Sequence, residues 1–427
     1  MTDPIASSGS DRRISPGARL ALFGWPGIGV LAALTLAGAW YGMTAVTLLG
    51  ALVAGTGLIA RGWAALALTG LTAERSLSGR RAFPGDTVTL TITLDNAKPL
   101  PLSWVRAEQI LPRALSPAPI PGKDDTGPDP ALTDGPTAET RRLTVETPLG
   151  WYQTATLTRR FACHKRGWYP LPGLEVASAD VFGLFVRSRT TTGDDAVIVY
   201  PRIQALGDLG LPARHPLGNT RDPRRLFEDP SRPMGIREYG PETPFKAIHW
   251  KASARTGQLQ ATVFEPTVAL ETVVLLAADG FAGPEADRAF EIGVSAAASL
   301  AHRELGRRRA VGLYSNGHQA PDRGAILIPP GREADREMML LEALARLQRR
   351  PTEPLAAFLD ERVGRFGAGA TLAVIADTLP IAALARLDAI NRRGRPVVLL
   401  RTGDGTIPAV SFPVRQLSLD TGNGVAA

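Results

Sequence analysis

The chain has 427 residues, which is long enough for two or three domains. Its single cysteine, Cys163, excludes an internal disulfide and agrees with a reducing compartment. The formal net charge of +7 comes with arginines spread along the whole chain, and no basic helix or aromatic-interleaved strand typical of nucleic-acid modules is present. We therefore expect the positive charge to favour anionic lipid rather than nucleic acid as a partner.

The first predicted element is a membrane segment. No charged residue occurs over 20–60, a stretch about twice the ~20 residues that one transmembrane helix needs. We predict a two-helix transmembrane hairpin over 19–73, reversed near 39–43, after a cytoplasmic tail over 1–18. Basic residues border both outer ends of the hairpin and none borders its turn. This asymmetry predicts that both termini and the soluble domains are cytoplasmic.

A cleaved signal peptide is the alternative for this segment. Arg12, Arg13 and Arg19 precede an apolar run that ends in Ala-Gly-Ala at 37–39, as in a secretory leader. The second apolar run, 43–60, would still stop in the membrane in that case.

The pattern after the hairpin changes to period two. Over 86–95, apolar residues alternate with threonines, as in a half-buried strand. Further short strand patterns, separated by glycine and proline turns, predict an antiparallel β-sandwich over 74–204. The stretch 112–140 is rich in Pro, Gly, Asp and Ala, which predicts a mobile insertion in the sandwich.

The segment 269–418 alternates between buried strands and helices. The predicted strands are 272–277, 310–314, 325–329, 372–376 and 396–400, and the predicted helices are 284–305, 333–348 and 380–391. This order predicts an α/β domain, a mostly parallel sheet with helices on both faces, followed by a tail over 419–427. It resembles a von Willebrand factor type A-like domain. The predicted fold class is therefore a membrane α-hairpin plus an antiparallel β-sandwich plus a type A-like α/β domain.

Two aspartates, Asp279 and Asp377, follow neighbouring strands of that predicted sheet. The type A family holds Mg²⁺ with an Asp-x-Ser-x-Ser loop, a threonine and a further aspartate. This chain has Phe281 and Gly283 two and four positions after Asp279, and neither carries a hydroxyl. We therefore expect at most a degenerate site for Mg²⁺ or another divalent cation. The alternative is that Asp279 caps the following helix or binds loop amides.

The most specific segment is 235–259, hereafter the signature segment. Arg-Glu-Tyr at 237–239 and Ile-His-Trp-Lys-Ala-Ser-Ala-Arg at 248–255 resemble the signature of the domain-of-unknown-function 58 family, a group of bacterial membrane-anchored proteins. The chain departs from that family at 242–243, where it has Glu-Thr in place of the usual Gly-Asp. The turns 165–169 and 180–185 resemble two further family turns. For both we expect glycine to permit the turn and aromatic rings to pack it on the sheet.

The signature residues have three possible roles. We expect Arg237, Glu238, Lys251 and Arg255 to form ion pairs around Trp250 and Tyr239, which would make 205–268 an interdomain joint. Docking of a partner is the second role. Acid or base catalysis by His249 is the third, and it lacks a legible nucleophile or substrate cleft.

The sequence contains no phosphate loop, no nucleophile elbow and no zinc-protease motif. We therefore expect a non-enzymatic scaffold or adaptor, and the sequence identifies no small-molecule substrate. The family resemblance implies a bacterial inner-membrane location, a MoxR-type AAA+ ATPase and a transglutaminase-like membrane protein as partners, and a role in assembling or maturing protein complexes. The open alternatives are a membrane-bound metal-dependent hydrolase that uses Asp279 and Asp377, and an envelope-facing binding module.

Overall fold

The structure is a computed structural model that describes residues 24–118, 131–206, 227–240, 243, 245–267, 271–366, 370–403 and 409–417. The predicted tails, 1–18 and 419–427, and the centre of the predicted insertion lie outside the described residues. The chain divides into two compact units, Met1–Tyr200 and Pro201–Ala427.

Two helices begin the first unit. Helices α1 (Trp25–Trp40) and α2 (Thr44–Ala67) are joined by a turn at 41–43, where Gly42 has a φ of +68° that favours glycine. The helices pack closely because small residues face each other: a Cβ at Gly50 would collide with Thr35 Oγ1. Among the described helices, α2 alone is both long and apolar enough to cross a membrane. The structure thus offers one candidate span, where the sequence predicted two.

Twelve strands follow in the described part of this unit. They are β1 (Leu71–Leu77), β2 (Arg81–Ala82), β3 (Thr87–Asn96), β4 (Leu102–Pro112), β5 (Leu115–Pro117), β6 (Leu132–Asp134), β7 (Thr140–Leu149), β8 (Thr154–Cys163), β9 (Gly167–Leu171), β10 (Glu175–Ala179), β11 (Val186–Thr190) and β12 (Asp195–Val199). Strands β5 and β6 lie on the flanks of the predicted insertion.

These strands form three sheets around one core. The sheet orders are β1-β3-β8-β5, β11-β10-β4-β7-β6 and β2-β12-β9. The period-two prediction for 86–95 is confirmed, because β3 buries every second residue and pairs antiparallel with β8. Leu90, Ile92, Leu143 and Phe161 belong to the shared core cluster. The alternation of apolar residues with threonines therefore predicted correctly which side chains of β3 face the core.

The end of α2 packs on β10 and β11. The helix residues buried there are small and recur every three or four positions: Gly57, Ala60, Ala64 and Ala67. Lys98, in the turn between β3 and β4, donates from Nζ to the carbonyl oxygens of Leu66 at 2.7 Å, Thr69 at 2.6 Å, and Ala67. These are carbonyls that a helix end leaves without intrahelical partners, so Lys98 caps α2. Burial lowers the pKa of Lys98.

The second unit begins with a hairpin. Strands β13 (Phe227–Glu238) and β14 (Gln260–Thr267) pair antiparallel. A 3₁₀ turn (Phe245–Ala247) and helix α3 (Trp250–Thr256) lie between them in the chain. The signature segment therefore spans the end of β13, this helical connection and the approach to β14.

The remaining elements of the second unit alternate more regularly. They are β15 (Glu271–Leu276), α4 (Ala286–Gly306), β16 (Ala310–Ser315), β17 (Gly317–Gln319), β18 (Ile326–Gly331), α5 (Arg336–Arg346), β19 (Leu347–Pro351), α6 (Leu355–Arg362), β20 (Thr371–Ala376), α7 (Ile381–Arg392), β21 (Val397–Arg401) and β22 (Val414–Gln416). Every strand and helix predicted in this region is confirmed within a few residues at its ends. Strands β17, β19 and β22 and helix α6 were not predicted.

A six-stranded sheet has the order β18-β16-β15-β20-β21-β22. Strands β15, β16, β20 and β21 are almost wholly buried, which explains their continuous apolar runs. Residues from β15, β20 and β21 share a core cluster with α6 and α7, including Val374, Leu399, Phe358 and Leu387. Edge strand β18 pairs antiparallel with β16.

The predicted fold class is wrong for the chain as a whole. Eleven of the sixteen strand pairings in the described residues are antiparallel, and only one helix there is a candidate membrane span. The chain is therefore mostly antiparallel β with few helices, rather than a membrane α-hairpin and a sandwich joined to a von Willebrand factor type A-like α/β domain. Apolar runs report burial and not strand direction, whereas the short connections here return many strands antiparallel.

Candidate functional site

His249 organises the backbone of the signature segment. It is the N-cap of α3, and its Nδ1 accepts a hydrogen bond from the Ala252 backbone N–H at 3.1 Å. Its own backbone N–H donates to the Gln260 carbonyl oxygen at 2.8 Å. Gly257 ends the helix with a φ of +73°, a conformation that favours glycine. One ring nitrogen of His249 is thus occupied by a structural hydrogen bond.

Around this capped turn, large and charged side chains lie on the surface. Trp250 is 69% exposed and Phe245 is 78% exposed. Arg237, Lys251 and Arg255 are exposed as well. We call these five residues the signature surface. It combines two unburied aromatic side chains with three cations on one short stretch of chain.

The side chains of the signature surface make few contacts with the residues that the structure describes. The rings of Tyr239 and Phe245 lie 5.9 Å apart, centroid to centroid. Arg237 donates from Nη2 to Thr243 Oγ1 at 3.3 Å. Ile248 and Ala261 form an isolated bridge and are both buried, so the backbone beneath the helix is fixed. The exposed side chains are therefore carried by an ordered turn and are not part of a core.

The expected ion-pair network does not form within the described residues. Arg237, Glu238, Lys251 and Arg255 are all exposed, and none of them makes an ion pair with another residue that the structure describes. Long charged side chains on an exposed turn gain little from pairing because water screens them and ordering costs entropy. Among the residues that the structure describes, these four side chains form no ion-pair network around Trp250.

The structure brings the two predicted metal-site aspartates to the same edge of the six-stranded sheet. Asp279 and Asp377 follow β15 and β20, which are parallel neighbours. The Gly280 carbonyl oxygen accepts from the backbone N–H groups of Asp377 at 2.8 Å and Thr378 at 2.9 Å. The loops after the two strands are therefore joined through their backbones.

The carboxylate of Asp279 is used in structural hydrogen bonds. Its Oδ1 accepts from Asn316 Nδ2 at 2.9 Å, and its Oδ2 accepts from the backbone N–H of Leu355 at 2.8 Å. Leu355 is the first residue of α6. Asp279 thus stabilises the start of a helix, as one of the alternatives predicted, but that helix is α6 and not the following helix α4.

Asn316 is the residue of this cluster that the sequence patterns did not identify. Its side chain is fully buried: Oδ1 accepts from the Ala278 backbone N–H at 2.7 Å, and Nδ2 also donates to the Glu353 carbonyl oxygen at 2.9 Å. It therefore links three loops at the sheet edge. The only signal in the sequence is the pair of polar residues, Ser315 and Asn316, at the last residue of β16 and the residue after it.

The carboxylate of Asp377, unlike that of Asp279, has an oxygen without a hydrogen bond in the described structure. Its Oδ1 is buried without a hydrogen-bond partner in the described structure, as is Thr402 Oγ1. Gly403 approaches so closely that a Cβ there would collide with the Asp377 carboxylate. Carboxylate and hydroxyl oxygens suit Mg²⁺. However, the described residues contain no group of three or more His, Cys, Asp or Glu side chains placed to hold a metal.

The positions that carry hydroxyls in the type A family have a different use here. Phe281 is 3% exposed, and its ring packs edge-on against Phe290 at 5.3 Å. Gly283 has a φ of +94°, which favours glycine. The loop after β15 is therefore closed by an aromatic contact and a glycine turn, and the two oxygen ligands of the family pattern are missing.

The two family-like turns in the sandwich behave differently from each other. The Tyr169 side chain packs against the core of the sandwich, as expected, and its hydroxyl also donates to the carbonyl oxygens of Lys165 at 2.8 Å and Arg166 at 3.1 Å. In the turn at 180–185, the expectation of packed rings is wrong for Phe182, which is 59% exposed. The buried Asp180 carboxylate, rather than an aromatic contact, closes that turn.

Comparisons with known proteins add relatives but no activity. No family model matches the chain. It is similar to the uncharacterized protein YeaD of Bacillus subtilis strain 168, with 26% identity over 300 residues, which are 70% of this chain and 68% of that protein.

Solved structures resemble only part of the chain. Native alpha-2-macroglobulin from E. coli matches with a TM-score of 0.24 and 17% identity, over 31% of this chain and 10% of that one. A type II cohesin domain from Acetivibrio cellulolyticus matches with a TM-score of 0.20 and 13% identity, over 30% of this chain and 94% of that one. The chain thus spans about a tenth of the macroglobulin's length.

Proposed function

We propose that the chain is a membrane-anchored scaffold or adaptor of a bacterial inner membrane that docks a protein partner through the signature surface. The observation that carries the proposal is the exposure of Trp250, 69%, on a turn that His249 and Gly257 hold in place. An exposed tryptophan beside Lys251 and Arg255 has the composition of a binding hot spot, where aromatic and arginine side chains dominate.

Two features of the aspartate edge favour a scaffold over an enzyme. Both carboxylate oxygens of Asp279 accept hydrogen bonds from within the protein. Phe281 fills a position where the type A family pattern has a metal-binding hydroxyl. A catalytic carboxylate needs to be available to substrate, water or metal, and Asp279 is instead held in place by Asn316 and Leu355.

The anchor in this proposal is α2, with α1 beside it as a second span. The apolar run begins before α1, at residue 20, so the sequence is long enough for α1 to cross with α2. Basic residues at both outer ends of the hairpin favour a cytoplasmic position for both termini and for the soluble parts of the chain.

The partner follows from the family resemblance. The signature segment resembles that of the domain-of-unknown-function 58 family, which implies a MoxR-type AAA+ ATPase and a transglutaminase-like membrane protein as partners. In our proposal the chain holds this ATPase at the membrane while protein complexes are assembled or matured there. The cations of the signature surface, Arg237, Lys251 and Arg255, would then meet an acidic patch on the ATPase.

The test is affinity purification of the tagged full chain in mild detergent, with and without ATP. The variant is Trp250→Ala, and Trp151→Ala is its matched control because Trp151 is also 69% exposed but lies in the other unit. We expect an AAA+ ATPase to be recovered with the wild type and the control. Truncating a tryptophan hot spot costs ~2 kcal/mol or more of binding free energy. We therefore expect Trp250→Ala to bind the ATPase with an about 30-fold weaker Kd than the wild type. Recovery of no AAA+ ATPase under either condition would contradict the proposal.

A further inference from the structure

The turn at 180–185 connects β10 to β11 and presents two apolar side chains to solvent. Val181 is 54% exposed and Phe182 is 59% exposed. Asp180 is 1% exposed, and its carboxylate accepts from the backbone N–H groups of Phe182 at 2.9 Å and Phe185 at 2.6 Å. Gly183 has a φ of +68°. Because a buried carboxylate and a glycine fix the backbone, the exposure of the two apolar residues is built into the turn.

The same turn contacts the membrane segment. The guanidinium carbon of Arg61, in α2, lies 5.3 Å from the centroid of the Phe185 ring and 4.4 Å from the centroid of the Trp25 ring. Trp25 is the first residue of α1 and is 67% exposed. The turn therefore lies beside the first residue of α1 and beside Arg61 of α2, which are near the two outer ends of the apolar stretch.

If α2 crosses the membrane as proposed above, Arg61 lies at the boundary of the bilayer. It is the first charged residue after the uncharged run 20–60. A charged side chain in the hydrocarbon is costly, whereas arginine and tryptophan are favoured among the headgroups. Phe185, which contacts Arg61, must then lie at headgroup depth, and Val181 and Phe182 are only three or four residues away in the same tight turn. Arg187, exposed on β11, adds a cation beside anionic headgroups.

We propose that Val181 and Phe182 insert into the headgroup region of the bilayer that α2 crosses, so that the sandwich is held to the lipid surface at a second point. This inference rests on the proposed membrane anchoring. The occupant of the exposed apolar tip is lipid, because the turn that carries the tip contacts Arg61 through Phe185, and Arg61 also contacts Trp25. The amphipathic combination of a phenylalanine, a valine and the arginines that follow at 187 and 189 is typical of interfacial segments.

A second exposed aromatic loop serves as the internal control. Trp151 and Tyr152 are each 69% exposed, in the turn between β7 and β8. The Tyr152 backbone N–H donates to the Lys98 carbonyl oxygen at 3.3 Å, and Lys98 caps the end of α2. That end is six residues beyond Arg61, about 9 Å further along the helix axis. We therefore expect this loop to remain in water although it is equally exposed.

The experiment places a nitroxide label at single positions of the full chain in vesicles of phosphatidylcholine and phosphatidylglycerol. The variants are Phe182→Cys, Val181→Cys, Trp151→Cys and Leu52→Cys, the last in the middle of α2. Cys163 is fully buried, and burial followed by the charge of Asp86 raises its pKa to about 11, so it takes up no label in the folded protein. Electron paramagnetic resonance then measures collisions of each label with oxygen and with a water-soluble nickel chelate.

We expect the labels at 182 and 181 to show a severalfold loss of collisions with the nickel chelate, and more collisions with oxygen, relative to the label at 151. A label at 182 that is as accessible to the chelate as the label at 151, while the label at 52 is protected, would overturn the inference and leave the anchor intact. If the label at 52 is also accessible, the proposed anchor fails, and the interfacial turn fails with it.

Discussion

Replacing Asp279 tests whether this carboxylate is structural. Asp279→Ala removes the acceptor of two hydrogen bonds, from Asn316 at 2.9 Å and from the backbone N–H of Leu355 at 2.8 Å. Leu355 is fully buried, so its N–H is left without a partner in the protein and with little access to water. Asn316 retains its bond to the Glu353 carbonyl oxygen. The main loss is therefore at the start of α6.

The magnitude follows from these contacts. The unsatisfied N–H of Leu355 costs about 1–3 kcal/mol, and the bond lost from the buried Asn316 Nδ2 costs a further ~1 kcal/mol. We expect Asp279→Ala to lower the free energy of unfolding by about 3 kcal/mol. For a unit of this size, at about 2–4 °C per kcal/mol, the Tm falls by roughly 6–12 °C. Asp279→Asn keeps one oxygen for the Leu355 N–H, so we expect a smaller loss.

The assay is thermal unfolding of the full chain in detergent, in buffer treated with a chelator. Asp287→Ala is the matched control, because the Asp287 side chain is 89% exposed and we expect no measurable loss there. A structural role for Asp279 is refuted if Asp279→Ala unfolds at the wild-type temperature without divalent cations and differs from the wild type only when Mg²⁺ is added. That result would assign the carboxylate to a metal site.

Three further predictions concern the first unit. Lys98→Met removes one donor from the Leu66, Ala67 and Thr69 carbonyl oxygens, of which Leu66 also accepts from Thr69, so we expect a loss of about 1–3 kcal/mol in thermal unfolding and none for the exposed control Lys165→Met. A hydrogen bond from Arg75 lowers the pKa of Asp195 in the folded chain. The ionised carboxylate therefore stabilises the fold above pH ~4, and this stabilisation is lost as the pH falls through the folded pKa. We expect the free energy of unfolding to fall less steeply with decreasing pH in Asp195→Asn than in the wild type. With its pKa raised to about 11, the Cys163 thiol should react with a disulfide reagent at pH 8 only after denaturant unfolds the chain.

Much of the secondary structure could be predicted from the sequence because burial has a direct effect on residue pattern. Strand β3 lies between water and core, so its apolar residues alternate with threonines. Strands β15 and β20 are buried on both faces, so their apolar runs are continuous. The fold class could not be predicted in the same way, because strand direction depends on which segments meet and not on the pattern within one strand.

The candidate sites were harder to predict because their partners are distant in the chain. Asp279 binds the backbone of Leu355, which is 76 residues away, and no local pattern encodes that contact. Asn316 has a single polar neighbour to mark it in the sequence. The pattern around Trp250 also could not distinguish a buried ion-pair network from an exposed surface. In both cases the same residue types fit either role until the loops around them are placed.

The most direct test of docking by the signature surface is photo-cross-linking in living cells, with a photoreactive amino acid at position 250 or at position 151 of the full chain. We predict that a MoxR-type AAA+ ATPase is cross-linked from position 250 and not from position 151, and that Arg255→Glu lowers the yield by charge repulsion. An ATPase captured equally from both positions, or none captured from position 250, would contradict the claim that the signature surface docks this partner.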